Sequence, residues 1–374
     1  MKKIAVITYH NSFNYGAALQ AYATSKVLEA LGYDVRFIDY YPKNLRDFGT
    51  LKTTFREAGY KTRNIIKRIA LTAVRYPSHK RLRKVFDDFA YNNLPLTRTY
   101  LSREDIRNDP PEADIYCTGS DQVWNNFYTH DFDGTFFLDF VPEGKERIAL
   151  AASFGKESFS EDELGYIKEH VSKYDCITVR ENTAKKILEE LGIKDVSVIP
   201  DPTILADPKV WEDFAEDPKI NAPYILVYQL HGDGEALKKA MKYGKEKGIR
   251  VIRINTFLHH FRPSCRNILT PDPHKFIGLF RDAEYVFTDS FHGTVFSLIF
   301  KRKLAVDMPR KFSDRIETLL KSVEAEGFVL GKLDEWKIKA ANADYGIINS
   351  NMERYRLRSR KILEKRLTPP GKDA

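Results

Sequence analysis

Short apolar runs alternate with stretches of helical spacing along most of the chain. Residues 3–9 predict a buried strand, followed by a polar loop from His10 to Gly16. Leu19, Tyr22, Ala23, Val27, Leu28 and Leu31 then recur at helical steps up to Gly32, a good helix stop. Residues 34–40 predict a second strand. Such a βαβ opening builds a parallel sheet. The alternation lapses over 41–110, where a basic insertion with helical stretches is expected. It resumes with strands at 114–118, 147–152, 176–180 and 196–199, and helices at 160–172 and 182–191. A second series predicts strands at 224–230, 250–254, 285–288 and 304–306, and helices at 235–247, 274–281, 295–301 and 315–323. Pro200-Asp201-Pro202 and Ala206-Asp207-Pro208 mark 200–208 as the expected hinge. The pattern predicts an α/β chain of two Rossmann-like domains, 1–205 and 206–340, with the crevice at the C-terminal ends of the strands. A basic helix within 341–374 is expected to pack back on the N-terminal domain.

Composition narrows the class. A chain of 374 residues with 43% hydrophobic content suits two globular domains and excludes a disordered chain. Cys117, Cys176 and Cys265 form neither a disulfide framework nor a C-x-x-C pair, and fit buried thiols in a reducing compartment. No apolar run approaches the ~18 residues of a membrane helix. The opening run is too short for a signal peptide, so a cytoplasmic protein is expected. The net charge of +8 is uneven. Residues 41–84 hold thirteen Lys/Arg against Asp47 and Glu57, so the rest of the chain is slightly acidic.

Four strand-to-helix loops carry candidate chemistry. In Thr288-Asp289-Ser290-Phe291-His292-Gly293-Thr294, a buried strand runs into a polar turn that opens a helix. Free N–H groups there favour an anion, Gly293 permits close approach, and Ser290 and Thr294 can bind or cap. His292 is placed for acid or base work near neutral pH. Arg180 ends a strand, where a guanidinium points into the crevice or pairs with Glu181. Asn14, Tyr15 and Gly16 belong to a polar loop suited to a hydroxyl-rich ligand; it lacks G-x-G-x-x-G and the P-loop pattern. Asp121, Gln122, Trp124 and Asn125 combine an apolar ring with hydrogen-bonding edges, which suits a sugar or an anchored loop. His259-His260 has no acidic or cysteine neighbours at metal spacing, so no metal is expected.

Together these pieces resemble the polysaccharide pyruvyl transferase family. The resemblance rests on Asn14-Tyr15-Gly16-Ala17, Gly119-Ser120-Asp121-Gln122-Val123-Trp124-Asn125, Ala152-Ser153-Phe154-Gly155, Val179-Arg180-Glu181, Asp201-Pro202-Thr203 and Thr288 to Ser297. It covers about 1–330 in the family's order. It implies a GT-B-like arrangement of the two domains about a central cleft. It implies phosphoenolpyruvate as donor, no cofactor, and a sugar acceptor that receives a pyruvate ketal. His292 matches the family's catalytic histidine and Arg180 its donor-binding arginine. Many members carry arginine where this chain has Ser290, so Lys311 and Arg315 are expected to share the donor's charge. Many also have Lys-Pro where this chain has Arg302-Lys303. Capsule-type glycans are built on undecaprenyl-diphosphate carriers. The 41–84 segment and the final helix, with seven Lys/Arg over 353–366, are therefore expected either to meet the anionic inner leaflet or the carrier's diphosphate, or to be merely solvated. No nucleic-acid motif accompanies the charge, and nucleic acid is not an expected partner. A nucleotide-sugar glycosyltransferase and a non-catalytic sugar- or lipid-phosphate-binding protein are the alternatives.

Overall fold

The computed structural model describes residues 1–42, 46–47, 50–126, 132–230, 235–309 and 313–367, with only the backbone at 259. Seven parallel strands form the first sheet: β1 (Lys3–Ile7), β2 (Asp34–Tyr40), β3 (Leu96–Tyr100), β4 (Ile115–Thr118), β5 (Glu146–Ala152), β6 (Cys176–Val179) and β7 (Val196–Val198). Their order is β3-β2-β1-β4-β5-β6-β7. The second sheet comprises β8 (Tyr224–Tyr228), β9 (Arg250–Asn255), β10 (Arg266–Leu269), β11 (Tyr285–Thr288) and β12 (Lys303–Val306), ordered β10-β9-β8-β11-β12. In both, strand order reverses beside the first strand, between β1 and β4 and between β8 and β11. Such switch points open a crevice at the strands' C-terminal ends.

The central strands β4, β6, β8 and β11 are buried along their whole length, as a sheet covered on both faces requires. Two edge strands escape the apolar pattern. β3 reads Leu-Thr-Arg-Thr-Tyr and β10 reads Arg-Asn-Ile-Leu, because an edge strand need not be apolar throughout. The helix Leu333–Ala341 likewise lies outside the predicted elements. The helix expected from 295 begins instead at Phe291, because Ser290 caps it and draws His292, Gly293 and Thr294 into its first turn.

The two sheets meet through aromatic packing. Tyr15, in the helix Tyr15–Ala30, stacks on Phe276 at 4.0 Å between ring centroids and lies edge-on to Phe86 at 5.0 Å. Its hydroxyl donates to the Pro271 carbonyl. The segment 200–208 holds a short buried helix, Pro202–Leu205, and Trp211 Nε1 donates to Thr203 O at 3.0 Å. The final helix, Tyr345–Leu367, buries Leu363 and Leu367 in the core beneath the first sheet, with Leu28 and Ile115. Three of its seven cations over 353–366 are paired: Arg356 with Glu353, Arg360 with Glu364, and Arg366 with Asp195. Among the described residues, no helix is long and apolar enough to cross a membrane.

Candidate functional site

Four strand ends converge where the sheets face each other. Arg180 follows β6, Asp201 follows β7, Ser120 and Asp121 follow β4, and His292 follows β11. Parallel strands align these C-terminal ends, which is why residues far apart in sequence meet.

Asp201 is the centre. It is fully buried, and Arg180 Nη1 donates to its Oδ2 at 2.7 Å. Ser120 Oγ donates to the same oxygen at 3.1 Å. Oδ1 accepts from the Thr203 backbone N–H at 3.0 Å and from its hydroxyl at 2.7 Å. His292 Nε2 lies 3.7 Å from Oδ1, an ion-pair distance too long for a hydrogen bond. That nitrogen is buried with no hydrogen-bond partner among the described residues. Burial alone would raise the Asp201 carboxyl, but His292, Arg180 and the Thr203 N–H together hold it well below the ordinary carboxylate range.

Arg180 has three acidic neighbours. Besides Asp201, Asp121 lies 3.6 Å from Nη2 and Glu181 lies 3.9 Å from Nε. Nε and Nη2 nevertheless make no hydrogen bond among the described residues. Burial disfavours the charged guanidinium, but Asp201, Asp121 and Glu181 outweigh it and raise its pKa. Glu181 Oε1 is held by the Ser153 hydroxyl at 2.8 Å and the Phe154 N–H at 3.1 Å.

Arg315 approaches from the other domain. Its guanidinium lies 5.7 Å from the Phe291 ring centroid, and that of Arg180 lies 5.5 Å from the same ring. No carboxylate pairs with Arg315 among the described residues. Burial, then the like charge of Arg180, push its pKa down to about 10. Arg180, Asp201, Phe291, Arg315 and Tyr355 line a cavity of about 20 Å³ at this seam, room for roughly one water.

The helix-start residues are spent on the turn itself. Ser290 Oγ accepts from the Gly293 N–H at 3.3 Å, and the Thr294 hydroxyl donates to Ser290 O at 3.0 Å. A Cβ on Gly293 would strike the Thr288 hydroxyl. Gly16 packs flat against His292, and a Cβ there would occupy the place of the imidazole ring. Gly16→Ala is therefore expected to displace the ring and lower turnover by ~10²-fold, with the far-UV spectrum unchanged. Wild-type turnover in that variant would show that the ring's position is unimportant.

The residues singled out for a sugar divide. Asn14 caps its helix, accepting from Gly16 N at 2.7 Å. Tyr15 is buried at the domain seam. Trp124 is fully buried between Phe137 and Phe154, and its Nε1 donates to Phe136 O at 3.3 Å. As placed, neither ring offers a face to a ligand. Asp121 lies at the Arg180 cluster with a φ of 80°, half-buried. Gln122 Oε1 accepts from Asn125 Nδ2 at 2.7 Å beside it. Lys311 lies outside the described residues. Asp201 and Glu181 were not singled out as site residues. The positional signal that marks Arg180, a polar residue at the tip of an apolar strand, applies equally to Asp201 after β7.

Two facing Rossmann-like sheets with a polar seam between their strand ends define the GT-B class of architecture. A solved structure shares it. A glycosyltransferase involved in avilamycin A biosynthesis is 12% identical, with a TM-score of 0.50 over 98% of this chain and 97% of its own. The UDP-GlcNAc 2-epimerase of Methanocaldococcus jannaschii is 14% identical, with a TM-score of 0.44 over 91% of this chain and 92% of its own. At 12% identity the likeness to the glycosyltransferase shows fold alone. The model of one family, polysaccharide pyruvyl transferase, matches residues 14–305. The chain belongs to the polysaccharide pyruvyl transferase family. Comparison with curated proteins finds no match.

Proposed function

We propose that the protein transfers pyruvyl from phosphoenolpyruvate to two hydroxyls of a sugar in a surface or capsular polysaccharide precursor, forming a ketal and releasing phosphate. The observation that carries this is the pair of guanidiniums, Arg180 and Arg315, which both approach the Phe291 ring and line one cavity. Arg180 already has carboxylates within ion-pair distance, whereas Arg315 has none that close among the described residues. A ligand with two anionic groups satisfies both: Arg315 takes one, and Arg180 Nε and Nη2 offer unfilled donors to the other. Phosphoenolpyruvate carries a phosphate and a carboxylate. The cavity must widen to admit it, which calls for movement at the seam.

In this mechanism His292, as imidazolium, gives a proton to C3 of the enol. C2 becomes electrophilic and the first sugar hydroxyl adds there, losing its proton. The C2–O bond to phosphate breaks, and the second hydroxyl closes the ketal and releases its proton. Two hydroxyl protons leave, one proton enters the new methyl group, and phosphate carries away the balance. Asp201 orients His292 and Arg180 without touching the reacting carbon. Asp121, Gln122 and Asn125 are the candidate acceptor contacts. An undecaprenyl-diphosphate-linked glycan is the acceptor class to try first.

The test is incubation with phosphoenolpyruvate and a panel of lipid-linked glycans. Phosphate release with a product heavier by one pyruvate less one water supports the proposal. A hexose increment from a nucleotide sugar would instead establish glycosyl transfer, and binding without turnover would leave a binding protein. Arg315→Ala is expected to weaken phosphoenolpyruvate binding by ~10-fold or more, since a charge-assisted hydrogen bond is worth ~1.5–3 kcal/mol. Equal donor affinity in calorimetry would remove Arg315 from the site.

A further inference from the structure

The basic insertion is a helical hairpin, Leu51–Lys61 and Ile65–Asn93. The second helix buries Leu82, Phe86 and Phe89 in the core shared by both domains. Ser78 Oγ accepts from Leu258 N at 2.9 Å, so the helix touches both halves of the molecule. Its N-terminal half leans on the first helix. There Arg68 Nε donates to Phe55 O at 2.7 Å, and its guanidinium lies 3.8 Å from the Phe55 ring centroid.

The other side of that half is uncovered. Ile66, Ile69, Ala70, Ala73, Val74 and Pro77 are all exposed and recur at three- and four-residue steps, so they share one stripe. Ile66 is 74% exposed, Ile69 57% and Val74 47%. A surface helix ordinarily turns its apolar stripe inward; this one turns it outward. From 60 to 84 the chain has nine Lys/Arg and no Asp or Glu. Lys61, Arg63 and Lys67 frame one end of the stripe, and Lys80 and Arg81 continue past Pro77 at the other. None of these five has an ion pair among the described residues.

We propose that this stripe docks on an anionic lipid bilayer, with the isoleucines at the headgroup–acyl boundary and the flanking cations on anionic headgroups. Two weak signals, apolar insertion and charge, combine there. A nucleic acid would use the charge and leave the isoleucines in water. A second copy of the chain would bring the same unbroken positive charge against itself. The proposal does not depend on the chemistry at the seam.

The test is sedimentation of the full chain with vesicles of phosphatidylcholine alone or mixed with phosphatidylglycerol. Pelleting is expected only with the anionic vesicles and should fall as salt rises. Ile66→Glu/Ile69→Glu should lower the partition coefficient by about tenfold or more. Circular dichroism checks that the variant's fold is unchanged, since both side chains are exposed. Recovery in the supernatant with both vesicle types at low salt would overturn the proposal. So would undiminished pelleting of the double variant. A wild-type dimer made monomeric by that variant, without vesicle binding, would assign the stripe to a copy-to-copy contact instead.

Discussion

His292→Ala is expected to lower phosphate release from phosphoenolpyruvate by ~10²–10⁴-fold, the range a positioned general acid contributes. The ring sits over Gly16, and its Nε2 is buried without a hydrogen-bond partner among the described residues, 3.7 Å from the Asp201 carboxylate. A buried donor without an acceptor is costly unless a ligand takes it up. The substitution removes a group from the site seam and leaves the core aromatic packing intact. Stability should therefore change far less than activity, and donor binding should persist. Turnover within threefold of wild type would falsify the assignment. So would a loss of activity matched by loss of the folded state in urea.

Asp201→Asn should carry the largest cost in stability, ~3–5 kcal/mol, because it strips the countercharge from a buried guanidinium. Arg180 would keep Asp121 and Glu181 only at 3.6 and 3.9 Å. The pH dependence gives a second check. The folded carboxyl lies below its unfolded value, so its contribution is present above that value, near ~3.9, and is lost as pH falls through the folded pKa. The wild type should therefore shed stability on acidification more steeply than the variant. Urea titrations at neutral and acid pH measure both effects. A cost below 1 kcal/mol, or parallel acid slopes, would show that Asp201 is not the keystone of the cluster.

The same residue shows how far a linear pattern reaches. Pro200-Asp201-Pro202 is legible as a break between two βα series, because proline sets φ and ends regular structure. That it also lies at the tip of β7, facing Arg180, follows only once β6 and β7 pair in parallel. Arg180 was legible because a polar residue directly after an apolar strand points to a crevice, and His292 because a polar turn after a buried strand opens a helix. Tyr15 and Trp124 were not, since an aromatic flanked by polar residues has one sequence signature for a ligand platform and for a core. Tertiary packing placed one against Phe276 and the other between Phe137 and Phe154.

By itself, the order of apolar and polar residues determined the two α/β series, most strands and helices, and the local concentration of positive charge. These depend on interactions between near neighbours in the chain. The tertiary structure alone decided which strand ends face one another, and so which charges meet. It joined Arg180 to Asp201, set His292 against Gly16 and brought Arg315 to the same cavity as Arg180. It also decided which apolar stripe stays in water, because burial depends on what the rest of the chain has left to cover it.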